Sequence, residues 1–249
     1  MKIGIIGYGH LGHSLGRGLM RAGISEKAEL FICEGSAALA AEKTEKHGIR
    51  ATDDVNLVIA ESELIFLTVK AAVFEALAGR IDQALLKGKT VISFMAGMPL
   101  SRLHALLGDS DIVWAMPSIA IASCEGIIGY TAAPDNAAAV LEKLGYAFPV
   151  SEEEIGKVMA FASCGLGFAA LMLDAFSSIG DYFGFSPEIS RRITEQTFRN
   201  AMDLGDFRAT ADAVATPGGA TEQGINHMNG QNIHSVMQQA AQKAYDKMK

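Results

Sequence analysis

Three glycines near the beginning of the chain have the spacing of a turn that binds a pyrophosphate. Gly7, Gly9 and Gly12 follow the apolar run at residues 3–6 and open a segment with helical periodicity. The first glycine allows a tight turn, the second lets the backbone approach the phosphates, and the third lets the helix pack against the strand. The phosphates would then lie over the N–H groups of the helix start. The pattern predicts a dinucleotide site; a glycine-rich turn in an ordinary α/β domain is the alternative.

An acidic residue stands where a dinucleotide site requires one. Glu34 follows the second predicted strand at about the distance from the glycines that is expected for a ribose-binding carboxylate. Such a carboxylate accepts hydrogen bonds from the ribose hydroxyls and repels a 2′-phosphate. Glu34 therefore strengthens the prediction of a dinucleotide site.

A second stretch whose residues could bind a ligand is Ala215-Thr-Pro-Gly-Gly-Ala-Thr221. Two glycines and an alanine would leave the first N–H groups of a helix uncovered, and a threonine hydroxyl follows one step further. Such a site suits a carboxylate, because an anion gains both the unpaired donors and the positive helix end. A capped helix start with no ligand is the alternative.

The elements that must position these residues alternate up to about residue 150. Strands are predicted at residues 2–7, 29–33, 64–69, 90–94, 112–115 and 126–131. Helical stretches are predicted between them, at residues 11–22, 37–47, 71–86 and 99–107. This alternation predicts an α/β fold with a Rossmann-type, doubly wound parallel sheet.

Beyond residue 150 the pattern is helical, with no convincing strand. Ser151 and Glu154 form a capping box, and Pro187 marks the first turn of a further helix. We therefore divide the chain into a dinucleotide-binding domain, residues 1–150, and an all-helical substrate and dimerisation domain, residues 151–249.

The helical domain contains an apolar run from Val158 to Leu173 that is hydrophobic nearly all round. A helix of this kind is buried on every side, and about 100 residues supply little interior for it. We therefore expect a homodimer or higher homo-oligomer. The run is shorter than a bilayer span, so no membrane association is expected.

Composition narrows the class of partner. The formal net charge is -7 and no lysine or arginine run occurs, which argues against nucleic-acid binding and favours a small-molecule substrate. Three cysteines, far apart, indicate neither a disulfide framework nor a metal site. The early start of the first strand leaves no room for a signal peptide, and we expect a cytoplasmic protein.

Together, the two glycine-containing stretches resemble the pyrroline-5-carboxylate reductase family, whose signature is a Ser/Thr-Pro-Gly-Gly-Ala/Thr-Thr helix start. Further segments are similar to family motifs in the same order. They are Val69-Lys70 (V-K-P), residues 93–97 with Leu100 (I-S-x-A-A-G-x-x-L), Ala115-Met116-Pro117 (R-x-M-P-N-T-P), Glu125-Gly126 (G-E-G) and ASCGLGF at residues 162–168 (S-G-S-G-P-A-Y). The resemblance implies a dinucleotide-binding domain followed by helices that interlock into a dimer.

The resemblance also implies a role for each matching residue. The pyrophosphate would be held by Gly7, Gly9, His10, Leu11 and Gly12. The ribose and nicotinamide side of the cofactor would be lined by Val69, Lys70, Met116 and Pro117. The substrate would be bound by Thr216, Gly218, Gly219, Ala220 and Thr221. The backbone donors of this last group would take the substrate carboxylate, and the catalytic Thr221 hydroxyl would face the ring nitrogen.

The implied reaction is hydride transfer from NAD(P)H to the C=N bond of a small cyclic imino acid, giving proline from 1-pyrroline-5-carboxylate. A protonated imine is already a good electrophile, so the protein mainly fixes geometry and excludes water. The segment Cys33-Glu34-Gly35-Ser36 replaces the Asn-Arg-Ser/Thr of phosphate-preferring members. NADH is therefore predicted as the preferred cofactor, with NADPH possible.

Departures from the family motifs lie near the expected substrate position. Ala71 replaces a proline, Trp114 replaces an arginine, Ser118-Ile119-Ala120 replaces N-T-P, and Leu166 replaces a proline. These changes leave open a reductase of another cyclic imine, or a non-catalytic NAD(H)-binding regulatory protein. A β-hydroxyacid dehydrogenase is disfavoured. That family places a lysine on the first long helix of its second domain, and here no lysine lies between Lys157 and the end of that helix.

Overall fold

The computed structural model describes residues 1–247. By their internal contacts the described residues form two compact units, one of residues 1–163 with residues 245–247, and one of residues 164–244. The domain boundary predicted at residue 150 lies before the end of the first unit and stays a prediction. Each unit is described separately below.

The first unit is built on an eight-stranded sheet in the order β3-β2-β1-β4-β5-β6-β7-β8. The strands are β1 (Ile3–Ile6), β2 (Leu30–Cys33), β3 (Arg50–Thr52), β4 (Leu64–Leu67), β5 (Thr90–Ser93), β6 (Asp111–Pro117), β7 (Gly126–Tyr130) and β8 (Gly145–Pro149). All neighbouring pairs are parallel except β6 and β7, which are antiparallel. The expected Rossmann-type architecture is confirmed, but the sheet is only mostly parallel.

Helices cover both faces of the sheet. They are α1 (His10–Arg21), α2 (Ala37–His47), α3 (Val55–Glu61), α4 (Ala71–Ala78), α5 (Leu100–Leu107), α6 (Asp135–Glu142) and α7 (Glu152–Val158). Alternate residues of β1 point to opposite faces: Ile3 and Ile5 join a core cluster with α1 and α6, and Ile6 joins another with α3, α4 and α5. Burial on both faces explains why the central strands are continuously apolar.

Two strands, β3 and β8, and two helices, α3 and α6, of this unit were not predicted. The strand β3 has three residues, none of them buried, and β8 is an edge strand with no buried residue. Neither has the apolar run on which strand prediction depends. The helix predicted at residues 71–86 is interrupted: α4 ends at Ala78, and a separate 3-10 turn, Gln83–Leu86, follows Asp82, whose side chain accepts from Ala84 N–H.

A five-residue π-turn, Met159–Ser163, follows α7 and leads into α8 (Cys164–Tyr182). The later helices are α9 (Pro187–Asp203), α10 (Phe207–Val214), α11 (Ala220–Gly230) and α12 (Ile233–Asp246). Two of the three predicted caps are confirmed: Ser151 and Glu154 form a capping box, and Ser186 Oγ accepts from Ile189 N–H before α9. The third, predicted at Thr216 with Pro217 in the first turn, is wrong, because Gly219 is the N-cap of α11. All strands in the described residues end by Pro149.

The long apolar helix is not covered within a single chain. No residue of α8 is buried, and Leu171 is 67% exposed. Together α7, the π-turn and α8 form one continuous helix, Glu152–Tyr182, which is long and apolar enough to cross a membrane. This is weak evidence for a membrane span, because core helices of proteins outside membranes meet the same criteria. Only 11% of its apolar window is buried. The expectation that this helix is buried on every side therefore requires a surface from outside the chain.

Candidate active site

The glycine turn after β1 has a shape that fits a pyrophosphate. Gly7 lies in the left-handed region with φ of 91°, and a Cβ there would collide with the Val69 side chain. A Cβ on Gly12 would collide with the Gly7 carbonyl oxygen. A Cβ on Gly9, in contrast, would meet no atom within 4 Å. Packing therefore requires Gly7 and Gly12, whereas Gly9 leaves open space in which a phosphate can approach the backbone.

The first turn of α1 offers backbone donors at this open space. Gly9 is the N-cap, no side chain caps the helix start, and the first turn contains no acidic residue. His10 is exposed and Leu11 half-buried. Free N–H groups at the positive end of a helix favour an anion. The residues predicted to hold the pyrophosphate are thus together in one turn that suits it.

Thr68, directly after β4, holds the turn in place. Its hydroxyl donates to the carbonyl oxygens of Ile6 and Gly7, and its backbone N–H donates to the Ile6 carbonyl at 3.0 Å. Nothing in the sequence pattern indicates this role, because it depends on the pairing of β1 with β4. Thr68 therefore adds a supporting residue to the predicted site.

Glu34 lies at the C-terminal end of β2 and faces the glycine turn. Its Oε1 accepts a hydrogen bond of 2.9 Å from the Tyr8 N–H, and its own N–H donates to the Thr52 carbonyl at 2.8 Å. Its second carboxylate oxygen has no partner among the residues that the structure describes. That oxygen is available to a ribose hydroxyl.

Cys33 precedes Glu34 and is buried in the sheet. Burial, and to a lesser extent the neighbouring Glu34 carboxylate, raises the pKa of its thiol to about 11. The thiol is therefore protonated at neutral pH, which makes it a poor nucleophile. Its contribution is to packing.

Three rings form a cluster beside the turn that the sequence did not indicate. The ring centroids of Tyr8 lie 5.6 Å from His13 and 5.5 Å from His47, and the two histidine rings are 4.7 Å apart. Burial lowers the pKa of both histidines, and nearby positive side chains lower it further. Burial raises the pKa of Tyr8 to about 12. The cluster is uncharged at neutral pH and connects α1 with the end of α2.

The residues predicted to line the nicotinamide side lie after β4 and at the end of β6. Val69 is beside Gly7, so the structure brings it to the glycine turn. Lys70 is exposed and is the N-cap of α4. Met116 is buried and packs with Trp114 and with residues of α7. The strand ends at Pro117, which is also buried.

The segment after Pro117 has one anchored and one free residue. Ser118 is buried; its N–H donates to the Ile127 carbonyl at 3.0 Å, and its Oγ accepts from the Ile127 N–H at 3.2 Å. Ile119 follows and is 59% exposed. A hydrocarbon side chain is thus presented at a position where the family motif has a hydroxyl.

The predicted carboxylate site, before α11, lies in the second unit. Gly218 has φ of 74°, and its N–H donates to Glu222 Oε2 at 2.8 Å. The Gly219 N–H donates to the Thr216 carbonyl at 2.8 Å. Two donors that were expected to be uncovered are therefore used within the turn, because the φ of Gly218 folds the chain back on itself.

The free donors of this turn begin one residue later. Gly219, rather than Thr216, is the N-cap of α11, and no side chain caps the helix. Ala220 and Thr221 are exposed, and their N–H groups have no partner in the described part of the chain. The turn therefore retains an anion-binding end at Ala220 and Thr221, with the Glu222 carboxylate beside it.

These features define a dinucleotide-binding α/β oxidoreductase fold with a helical second part. Residues 152–249 match the family profile described as pyrroline-5-carboxylate reductase dimerisation, and residues 2–97 match that described as NADP oxidoreductase, coenzyme F420-dependent. In its helical part the chain is therefore similar to the pyrroline-5-carboxylate reductase family.

Individual relatives extend this similarity over the whole chain. The chain is 27% identical to a pyrroline-5-carboxylate reductase of Methanosarcina acetivorans, over 100% of this chain and 97% of the relative. It is 25% identical to one of Pseudomonas aeruginosa, over 98% of this chain and 94% of the relative. The solved structure of Plasmodium falciparum pyrroline carboxylate reductase with NADP bound has a TM-score of 0.89, at 21% identity, over 100% of this chain and 97% of that one.

A solved structure with a lower TM-score shares the same fold. The structure of an imine reductase from Pseudomonas sp. has a TM-score of 0.63, at 20% identity, over 98% of this chain and 90% of that one. At this identity the likeness concerns the fold alone. The dimerisation profile, which spans α8, gives the exposed apolar surface of that helix a physical explanation.

Proposed function

We propose that this protein uses a reduced nicotinamide nucleotide to convert 1-pyrroline-5-carboxylate to proline. One observation carries the proposal: the chain joins an open dinucleotide turn to a domain matched by the pyrroline-5-carboxylate reductase dimerisation profile. The enzyme is thus an oxidoreductase acting on a CH–NH bond.

The reduced nicotinamide, when bound, supplies a hydride. The residues of this chain do the rest: the N–H groups of the first turn of α1 bind the phosphates, and Val69, Met116 and Pro117 line the nicotinamide side. The N–H groups of Ala220 and Thr221 take the substrate carboxylate, and the Thr221 hydroxyl faces the ring nitrogen. In this proposal the first unit orients the nucleotide and the second unit orients the imino acid, and hydride transfer depends on the orientation of each reactant.

We propose that NADH is preferred over NADPH. The proposal rests on Glu34, whose fixed carboxylate favours ribose hydroxyls and repels a 2′-phosphate, and on Gly35, which has no side chain to pair with that phosphate. NADPH, in this proposal, binds more weakly but supports the same reaction.

The exposed Ile119 favours a second candidate, a reductase of another cyclic imine. A hydrocarbon beside the substrate ring stabilises apolar ring substituents and gives no hydrogen bond to polar ones. In this reading the nucleotide site is unchanged and only the ring specificity differs.

We further propose that the protein is a homodimer, or an assembly of dimers, in the cytoplasm. The apolar surface of α8 would be covered by a second copy rather than by lipid. An acidic net charge of -7 supports a small-molecule partner rather than a nucleic acid.

The decisive experiment follows the loss of NADH and NADPH absorbance with purified protein and 1-pyrroline-5-carboxylate. Turnover that collapses in Thr221→Ala, but not in a control Thr197→Ala on the exposed face of α9, would support the proposal. Tight NADH binding without turnover would refute it and favour another imine or a non-catalytic regulatory role, which a panel of cyclic imines separates.

A further inference from the structure

The π-turn between α7 and α8 lies against the end of β6. Its residues Met159 and Ala162 pack on the cluster that contains Trp114 and Met116. A π-turn breaks the regular hydrogen-bond pattern of a helix, and such turns occur frequently at functional sites. The contacts of this π-turn should therefore explain why the helix is irregular here.

The hydroxyl of Ser163, the last residue of the π-turn, donates a hydrogen bond of 3.0 Å to the Pro117 carbonyl. Serine and threonine within helices usually bond to a carbonyl of their own helix. That is the case for Ser190 and Thr194 in α9, which donate to carbonyls four residues earlier. Ser163 instead connects the helix to a strand.

The Ser163 hydrogen bond is one of two that hold a single peptide group in place. The carbonyl of the Pro117–Ser118 peptide is held by Ser163, and its N–H is held by the Ile127 carbonyl of β7. The peptide therefore cannot rotate without breaking a bond on one side. Met116 and Pro117 precede it, and the exposed Ile119 follows it.

We propose that Ser163 is a positioning residue for hydride transfer. It acts through the Pro117 carbonyl, by fixing the strand end that lines the nicotinamide side, and it does not touch the substrate. This inference rests on the proposed function. A serine at this position corresponds to glycine in the family motif, so the hydroxyl is a feature of this chain.

The test compares Ser163→Ala with Ser163→Thr, which keeps the hydroxyl. Ser178→Ala is the matched control on the same helix, because the Ser178 hydroxyl donates to the Ala175 carbonyl of its own helix. Three quantities are measured: the steady-state kcat and KM, the Kd for NADH, and the fluorescence lifetime of bound NADH. The sole tryptophan, Trp114, also reports NADH binding by energy transfer.

We expect Ser163→Ala to lower kcat about tenfold, since a misplacement of about 1 Å costs on the order of a hundredfold and a loosened strand end costs less. The Kd for NADH should stay within about twofold, while the lifetime of bound NADH shortens because the nicotinamide is less restrained. Ser163→Thr should restore both kcat and the lifetime.

An unchanged kcat and lifetime in Ser163→Ala would overturn the inference. So would a parallel loss of NADH affinity and thermal stability, which would indicate a purely structural role. Should the wild-type protein fail to reduce 1-pyrroline-5-carboxylate, the proposed function falls, and the NADH lifetime alone then decides the role of Ser163.

Discussion

At the scale of single residues, Glu222 sets the charge of the proposed substrate site. Its carboxylate accepts the Gly218 N–H beside the free donors of α11, where a substrate carboxylate would also bind. Glu222→Gln keeps an acceptor and removes a negative charge. We expect the KM for 1-pyrroline-5-carboxylate to fall by about twofold to fivefold, as for a partly screened charge pair.

The control for this change is Glu188→Gln, in the first turn of α9. It alters the same type of residue at another helix start and should leave KM unchanged. A higher KM in Glu222→Gln would show that the charge contributes more by holding the turn than it costs in repulsion.

Cofactor choice is also decided by single residues. Glu34→Gln combined with Gly35→Arg removes the repelling carboxylate, keeps an acceptor for the Tyr8 N–H, and adds a guanidinium for the 2′-phosphate. The ratio of kcat/KM for NADPH to that for NADH should rise by at least about tenfold. A wild-type protein that already prefers NADPH would contradict the proposal for Glu34.

The residues that could be predicted from the sequence are those whose role is local and steric. The positive φ of Gly7 and the open face of Gly9 follow from the spacing of the turn. Thr68 and Ser163 could not be predicted, because their partners are distant in sequence. At Gly218 the motif predicted a free donor, but a side chain four residues later takes it.

At the scale of elements, the packing of α1 against the end of α2 should respond to acid. The pKa values of His13 and His47 lie below the usual 6.5 because of burial, and the Arg17, Lys43 and Lys46 charges lower the pKa of His13 further. The unfolded chain therefore binds protons more readily than the folded chain. This contribution to stability is complete above pH 6.5 and is lost as the pH falls toward the folded pKa values.

The prediction is a Tm that decreases between pH 7 and pH 5 and decreases less in His47→Gln. The control is His104→Gln, which changes an exposed histidine of α5. Identical slopes of Tm against pH in wild-type protein and His47→Gln would contradict a role for this ring pair.

Elements with a strong apolar pattern or a capping signal could be predicted, and others could not. The six predicted strands are present because each has an apolar run, whereas β3 is held mainly by pairing with β2. The direction of β7 is not encoded in its own residues. It reverses because the short connection after Pro117 returns the chain beside β6, with the Ser118 and Ile127 backbones paired.

At the scale of the whole molecule, the exposed surface of α8 predicts self-association. Leu171 is 67% exposed in the single chain, and Leu171→Glu would place a charge in the proposed interface. We expect wild-type protein to have at least twice the mass of one chain by light scattering at micromolar concentration. Leu171→Glu should reduce this mass toward that of a monomer.

The control is Leu57→Glu, at a leucine of α3 that is 40% exposed in the first unit. It should leave the mass unchanged. A monomeric wild-type protein, or one that sediments with lipid vesicles instead of self-associating, would refute the proposed covering of α8.

The buried thiol of Cys33 makes the nucleotide-binding unit a reporter of its own opening. An alkylating reagent attacks the thiolate, and a thiol with a pKa of about 11 in a closed sheet offers almost none. Modification of Cys33 must therefore wait for the sheet to open. Because NADH would bind only the closed form, each tenfold rise in NADH above its Kd should slow alkylation about tenfold. The rate at which one sulfur is modified would then measure cofactor affinity without any turnover.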